Sequence, residues 1–271
     1  MAEQEVLLSI DARGIGTITI NRPQVYNAYN ADLLEALGQA IEAFVDDKHV
    51  RIIQIRSNGK LFQAGADINW LKANSSNSLE VNRSISELTT NTFKTLNECS
   101  KPLVVLVQGG CFGGGVGIVA AADIVISEEG VEFAITEVRW GLVAGPILTQ
   151  LVSAIGLQNT RRFSLTAELF DANRALEIGL IHHVCPVGGL DKAVLPVFEL
   201  LLRAGPNALN ATKQLIFDAT GTSLDDKTAH WIINQNASQR QSSEASEGLA
   251  SFVERRKPSW YPRGKENDQN Y

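Results

Sequence analysis

Two glycine-bearing turns are the places in this sequence where the main chain itself could do chemistry. The first is Gln63-Ala64-Gly65-Ala66-Asp67-Ile68, which follows a β-branched run and its turn and opens a helix. The second is Gln108-Gly109-Gly110-Cys111-Phe112-Gly113-Gly114-Gly115, again between an apolar run and a helix. Small residues let another group approach the backbone closely, and the first N–H groups of a helix have no intrahelical acceptor. Two such turns could aim two N–H donors at one oxygen, the requirement of an oxyanion hole. Losing one donor of such a hole typically costs roughly 3–4 kcal/mol of transition-state stabilisation. Each turn taken alone reads equally well as a tight strand-to-helix connection.

Other candidate chemistry is weaker. Gly115-Val116-Gly117-Ile118-Val119-Ala120 fits a GxGxxA dinucleotide pattern. The helix behind it is too short, because Ala121-Ala122-Asp123 leads almost at once into the strand at 124–126. A hairpin at the N-terminus also has no place in a dinucleotide fold, so NAD binding is not expected. His182-His183 lies on an apolar strand and reads as structural, while His49 and His230 have no neighbouring ligand pattern. Cys99, Cys111 and Cys185 are far apart and lack CxxC spacing, so neither metal nor disulfide is expected. Ser153 and Ser164 have no nucleophile-elbow context. Trp70 and Trp140 read as pocket or core aromatics.

The elements that must position the two turns alternate strand and helix. Residues 5–10 and 16–20 form a hairpin about Ala12-Arg13-Gly14. A helix over Ala31–Asp46 sets Leu33, Leu34, Leu37, Ile41, Phe44 and Val45 on one face. A strand at 50–56, a helix entered at 65–73 and a polar stretch at 74–78 follow. Then come a helix at 85–96, a strand over Leu103–Val107, a short helix to 122 and a strand at 124–126. This alternation implies an α/β domain with parallel strands. Beyond Ile147 the chain reads as helices at 148–154, 172–178, 190–204, 207–220 and 224–256. Residues 1–200 are therefore read as the core, 201–260 as a helical lobe and 261–271 as a polar tail.

Composition sets the outer bounds. The 271 residues are 44% hydrophobic and 20% charged, which suits a folded protein able to bury a core. The net charge of −6 discourages binding to a polyanion, so no nucleic-acid partner is expected. No run approaches about 18 apolar residues, so no membrane span is expected. MAEQEVLLSI carries no signal-peptide pattern, and the odd, scattered cysteines suit a reducing, cytoplasmic setting.

Taken together and in order, several pieces resemble the enoyl-CoA hydratase/isomerase (crotonase) family over nearly the whole chain. They are Asn21-Arg22-Pro23 with Asn27-Ala28, Ala64-Gly65-Ala66-Asp67-Ile68, Gly113-Gly114-Gly115 with Asp123-Ile124, Thr136-Glu137-Val138-Arg139-Trp140-Gly141-Leu142, and Phe252-Val253-Glu254-Arg255-Arg256-Lys257-Pro258. The resemblance implies a spiral of ββα units with a helical C-terminal trimerisation region, in a homotrimer or homohexamer. It implies that Ala66 and Gly114 supply the oxyanion N–H groups around an acyl-CoA thioester. Arg22, Ala64, Asp67, Ile68, Phe252 and Arg255 would contact the coenzyme A substrate, Arg255 standing where the family usually has lysine. No separate cofactor and no metal are implied, coenzyme A being part of the substrate.

Glu137 matches one of the two glutamates many hydratases of this family use to move protons. The second would fall two residues after the glycine triplet, and Gly117 stands there. Three readings remain. One is a hydratase working with Glu137 alone, as in the bacterial methylglutaconyl-CoA and isohexenylglutaconyl-CoA hydratases, which this chain resembles at Val116-Gly117-Ile118, at 163–171 (FSLTAELFD) and at Pro206-Asn207-Ala208. Such substrates carry a distal carboxylate, which Arg139 is placed to meet if it faces the pocket. The second is a Δ3,Δ2-enoyl-CoA isomerase, for which one carboxylate is chemically sufficient. The third is a non-catalytic acyl-CoA-binding relative.

Overall fold

Nine strands form among the described residues, which in this computed structural model are 4–220 and 226–258. They are Val6–Ile10 (β1), Ile15–Ile20 (β2), Ile52–Ser57 (β3), Leu103–Val107 (β4), Gly110–Phe112 (β5), Ile124–Glu128 (β6), Glu132–Ala134 (β7), Phe170–Asp171 (β8) and His183–Cys185 (β9). Six of them make one sheet in the order β1-β2-β3-β4-β6-β9. β1 runs antiparallel to β2 as the expected hairpin, and every other pair in that sheet is parallel. All five residues of β4 are buried, which is why its sequence is an unbroken Leu-Val-Val-Leu-Val run rather than an alternation.

Parallel neighbours need crossovers, and the helices Ala31–Asp46 and Leu79–Glu98 supply them after β2 and β3. Each begins with a side-chain cap: Asn30 accepts from the Leu33 N–H at 2.9 Å and Ser78 from the Val81 N–H at 3.3 Å. The sheet is covered on both faces. Leu33, Leu37, Ile41 and Phe44 pack with Ile18, Ile53 and Val105 on one face, and Leu190, Val194 and Phe198 with Ile52, Val104 and Leu106 on the other. This is the α/β, crotonase-type arrangement the sequence leads one to expect.

Several boundaries differ from those read in the sequence, for identifiable reasons. The helix expected at 85–96 begins at Leu79, because Ser78 caps it within the stretch read as loose. Its early turns bury Asn82, Ser86 and Thr90; Asn82 Nδ2 donates back to Asn77 O at 3.2 Å and Thr90 Oγ1 to Ser86 O at 2.7 Å, hiding polarity that blurs the periodicity. The helix expected at 148–154 continues as Leu148–Thr166, bent at Gly156 where φ is +72°. The stretch 190–204 divides into Leu190–Ala193 and Leu195–Arg203 near Pro196. The stretch 224–256 divides into Asp226–Arg240 and Ser243–Val253, with Ser242 capping the second; its expected start falls outside the described residues, as does the tail. The small sheet β5-β7-β8 was not foreseen, since strands of two or three residues leave no period to read.

The C-terminal helices fold back onto the core. Lys213 on the helix Pro206–Thr220 donates to Asp123 Oδ2 at 2.7 Å and to Lys101 O at 3.2 Å, while Asp123 accepts the Leu103 N–H at 2.7 Å. Helix Asp226–Arg240 then packs on Leu79–Glu98, and Ser243–Val253 on the turn Glu137–Trp140. No helix among the described residues is long and apolar enough to cross a membrane. Because Asp123 ties sheet to C-terminal helix, Asp123→Ala should destabilise the protein by about 2–4 kcal/mol. A urea-unfolding midpoint unchanged from wild type would show that this tie carries no stability.

Candidate active site

The first glycine turn is held from behind by a buried asparagine. Asn27, at φ +60°, donates through Nδ2 to Asn58 O at 2.7 Å and to Leu61 O at 2.8 Å, and accepts the Arg22 N–H at 2.9 Å. Arg22 bonds Ala28 O and pairs with Glu5 at 3.0 Å and Asp67 at 3.3 Å. Asp67 in turn caps the helix Ile68–Asn74, accepting the Asn69 N–H at 2.9 Å. Arg22 and Asp67 thus brace the turn and are not among the residues that line the cleft in front of it.

Main-chain accounting then isolates one donor. The Gly65 N–H donates to Gln63 Oε1 at 2.5 Å, and Gly65 O accepts the Tyr29 N–H at 2.9 Å. The Asp67 N–H donates to Tyr29 O at 2.8 Å. Among the described residues, the Ala66 N–H between them has no such partner. Across the cleft, the Gly113 N–H donates to Ala134 O at 2.9 Å, and Gly113 O accepts the Val116 N–H at 2.9 Å. Gly114 is the first residue of its helix, so its own N–H has no intrahelical acceptor. Gly113 has φ +53°, and a Cβ added there would sit 3.5 Å from Gly65 Cα, which shows how closely the two turns approach.

Glu137 stands beside them at the start of a 3-10 turn after β7. A Cβ on Gly113 would lie 3.3 Å from Glu137 Oε1. Glu137 Oε2 is sealed from solvent and has no hydrogen-bond partner among the described residues. Burial pushes the carboxyl up from the ordinary glutamate range to about 7, partly offset by the N–H groups of Glu137 and Thr136. A group poised there can both take and return a proton near neutral pH.

The position of a second carboxylate is closed. A Cβ on Gly117 would fall 2.2 Å from Ile147 Cγ2 and 3.1 Å from Phe93 Cε1. Glycine at 117 is therefore matched by a bulky Ile147 opposite, and Glu137 is the one carboxylate lining the cleft among the described residues.

Ala64, Ala66, Gly114 and Glu137 come together on the wall of one cleft, along with Trp140. Ile68 opens its helix outside that wall. Phe252 is exposed and packs edge-on against Trp140 at 4.8 Å, and Arg255 is exposed just past the end of the last described helix. Arg139, considered for a distal carboxylate, is exposed and does not line the cleft. His182 is structural as expected: its Nδ1 accepts the Val125 N–H at 3.0 Å, and burial lowers its pKa. Sequence reasoning missed Tyr29, Asn236 and Arg240, which complete the cleft. Tyr29 adjoins the Asn27-Ala28 motif and could have been picked up there. Arg240 sits in the polar run Ser238-Gln239-Arg240-Gln241, where nothing distinguishes it from a solvated residue.

Comparison with known proteins places the chain in a family. Residues 11–263 match the family described as enoyl-CoA hydratase/isomerase. The chain is 30% identical over 246 residues to a short-chain-enoyl-CoA hydratase of Clostridium acetobutylicum, covering 90% of this chain and 92% of that protein. It is 28% identical over 260 residues to a trans-2-decenoyl-[acyl-carrier-protein] isomerase of Streptococcus mutans, covering 95% and 98%. The crystal structure of an enoyl-CoA hydratase from Shewanella pealeana superposes with a TM-score of 0.78 at 31% identity, covering 94% of this chain and 96% of that one.

The closure at Gly117 is testable by packing alone. Gly117→Glu should lower the thermal midpoint by several degrees, as overpacking costs about 1–3 kcal/mol, and Ile147→Ala in the same chain should recover part of the loss. Recovery absent from the double variant would show that Ile147 is not what fills the space.

Proposed function

We propose that this chain, which belongs to the enoyl-CoA hydratase/isomerase family, adds water across the double bond of a 2-enoyl-CoA using Glu137 as its one acid/base group. The observation that carries this reading is Glu137, whose Oε2 is sealed from solvent without a hydrogen-bond partner among the described residues, beside two turns with N–H groups left unpaired among those residues. In the reaction, Glu137 takes a proton from water as the hydroxyl adds to Cβ. The displaced electron pair moves through the chain to the thioester oxygen, giving an enolate. The Ala66 and Gly114 N–H groups hold that oxygen and favour the charge where it develops. Glu137, now neutral, returns the proton to Cα, so both hydrogens and the oxygen of the water end in the product.

A second reading, migration of a double bond from the 3- to the 2-position, is favoured by the closed space at Gly117. That reaction removes a proton from one carbon and delivers it to another, which one carboxylate accomplishes without water. Loss of the conjugated thioester absorbance of crotonyl-CoA supports hydration. Gain of that absorbance from a 3-enoyl-CoA, with crotonyl-CoA left unhydrated, would replace hydration by isomerisation. Activity in neither assay would leave an acyl-CoA binder.

Assembly into trimers belongs to the same reading. Leu165, Leu200, Leu215, Ile216 and Trp231 are large apolar residues left more than half exposed on the single chain, a pattern typical of surfaces covered by another subunit. A monomeric mass by light scattering would remove this part of the reading.

Glu137→Gln should lower kcat by at least about 100-fold while leaving affinity for a saturated acyl-CoA nearly unchanged. Hydration needs the ionised carboxylate, so kcat/KM should rise with pH through a midpoint near 7 rather than near 4.5. A midpoint below 5 would contradict the dry environment assigned to Glu137.

A further inference from the structure

One charge in the cleft has no counterpart. Arg240, the last residue of the helix Asp226–Arg240, is only 6% exposed, and its Nη1 has no hydrogen-bond partner among the described residues. No Asp or Glu among those residues forms an ion pair with it. A helix C-terminus favours a cation, but a buried guanidinium without an anion is costly, and such groups are ordinarily paired. The planar face of Arg240 is steadied by the Trp70 ring, with 5.6 Å between the guanidinium carbon and the ring centroid.

The surroundings say which anion would fit. Arg240 shares the cleft with Glu137, yet the two do not pair. Tyr29 stands where it feels both, its phenol held neutral by burial, with the Arg240 charge acting against that and the Glu137 charge with it. Arg240 and Glu137 are thus two separate charges on the wall of one cleft. Asn236, buried one helical turn earlier, lines the same cleft. The remaining wall is largely apolar, including Leu71, Phe93, Leu142, Val143 and Ile147, as a carbon chain requires.

We propose that Arg240 receives a carboxylate at the far end of the acyl chain, so that the favoured substrate is the mono-coenzyme A thioester of a short unsaturated dicarboxylic acid. A guanidinium offers a fork of N–H donors that matches a carboxylate in two parallel hydrogen bonds. A plain alkyl chain of the same length would leave the buried cation unpaired, and that penalty discriminates against it. The inference rests on the reading that the cleft holds an enoyl thioester, and it assigns to Arg240 the task the sequence suggested for Arg139.

Binding and turnover test it separately. Calorimetry with saturated glutaryl-CoA and butyryl-CoA compares an acyl chain bearing a distal carboxylate with one that does not, independently of catalysis. Wild type should bind glutaryl-CoA at least about 30-fold more tightly, the equivalent of about 2 kcal/mol for a desolvated charge pair. Arg240→Met should abolish that preference while keeping butyryl-CoA affinity, which also reports an intact fold, and Arg240→Lys should retain part of it. In turnover, Arg240→Met should lower kcat/KM for glutaconyl-CoA by a similar factor more than it lowers kcat/KM for crotonyl-CoA. Equal affinity of wild type for the two saturated thioesters, or an equal loss for both in Arg240→Met and Arg240→Lys, overturns the proposal. Selective binding without turnover of either enoyl-CoA would instead reject the hydratase reading and leave the carboxylate site standing.

Discussion

Among the described residues the Ala66 N–H is left unpaired between neighbours whose own main-chain groups are engaged. Gln63 engages both main-chain groups of Gly65 through its side-chain amide, and Tyr29 engages Gly65 and Asp67 through its backbone. A single loop amide left bare among satisfied neighbours is held in direction without making any bond of its own. Much of the N-terminal motif exists to maintain this. Asn27 sits fully buried in a left-handed conformation so that its side chain can tie its own segment at Arg22 to the turn carrying Asn58 and Leu61. Arg22, expected to touch coenzyme A, has its charge engaged by Glu5 and Asp67 in the same brace.

The second constraint is dryness. Water is kept from Glu137 Oε2, and the packing nearby leaves no room for a side chain at Gly117. Ile147 and Phe93 fill the volume above Gly117, so the apolar wall and the single-carboxylate chemistry are one feature of the packing. Their shared cause is a short helix, Gly114–Ala120, with glycines at 114, 115 and 117, which lets Tyr29, Gln63 and Ile147 approach its backbone at contact distance.

Closure of the cleft comes from the C-terminal third. The Asp123–Lys213 contact ties a helix far along the chain to the start of two central strands. Beyond it, the helix Asp226–Arg240 lies against Leu79–Glu98 and brings Asn236 and Arg240 to the wall of the cleft. The Asp123-Ile124 piece of the sequence pattern is thus architectural: it acts on the cleft through packing, while Ala66, Gly114 and Glu137 line the cleft directly.

Local order was legible from the chain because it is written in local interactions. The helix Ala31–Asp46 was readable to both its ends, since a capping asparagine and an apolar stripe are short-range signals. Strand β4 was readable as an unbroken apolar run, and the two glycine turns were visible as small residues between a strand and a helix. The alternation of these units, with the motifs in family order, was enough for the fold class and for picking out Ala66, Gly114 and Glu137, which meet on the wall of one cleft. Only the tertiary structure decided that Arg22 faces inward to Glu5 and Asp67, that Arg139 points away from the cleft, and that Gly117 answers Ile147 thirty residues later. It alone picked Arg240 out of a polar helix end. Those outcomes depend on which charges and volumes meet across long stretches of chain, and neither spacing nor composition carries that information.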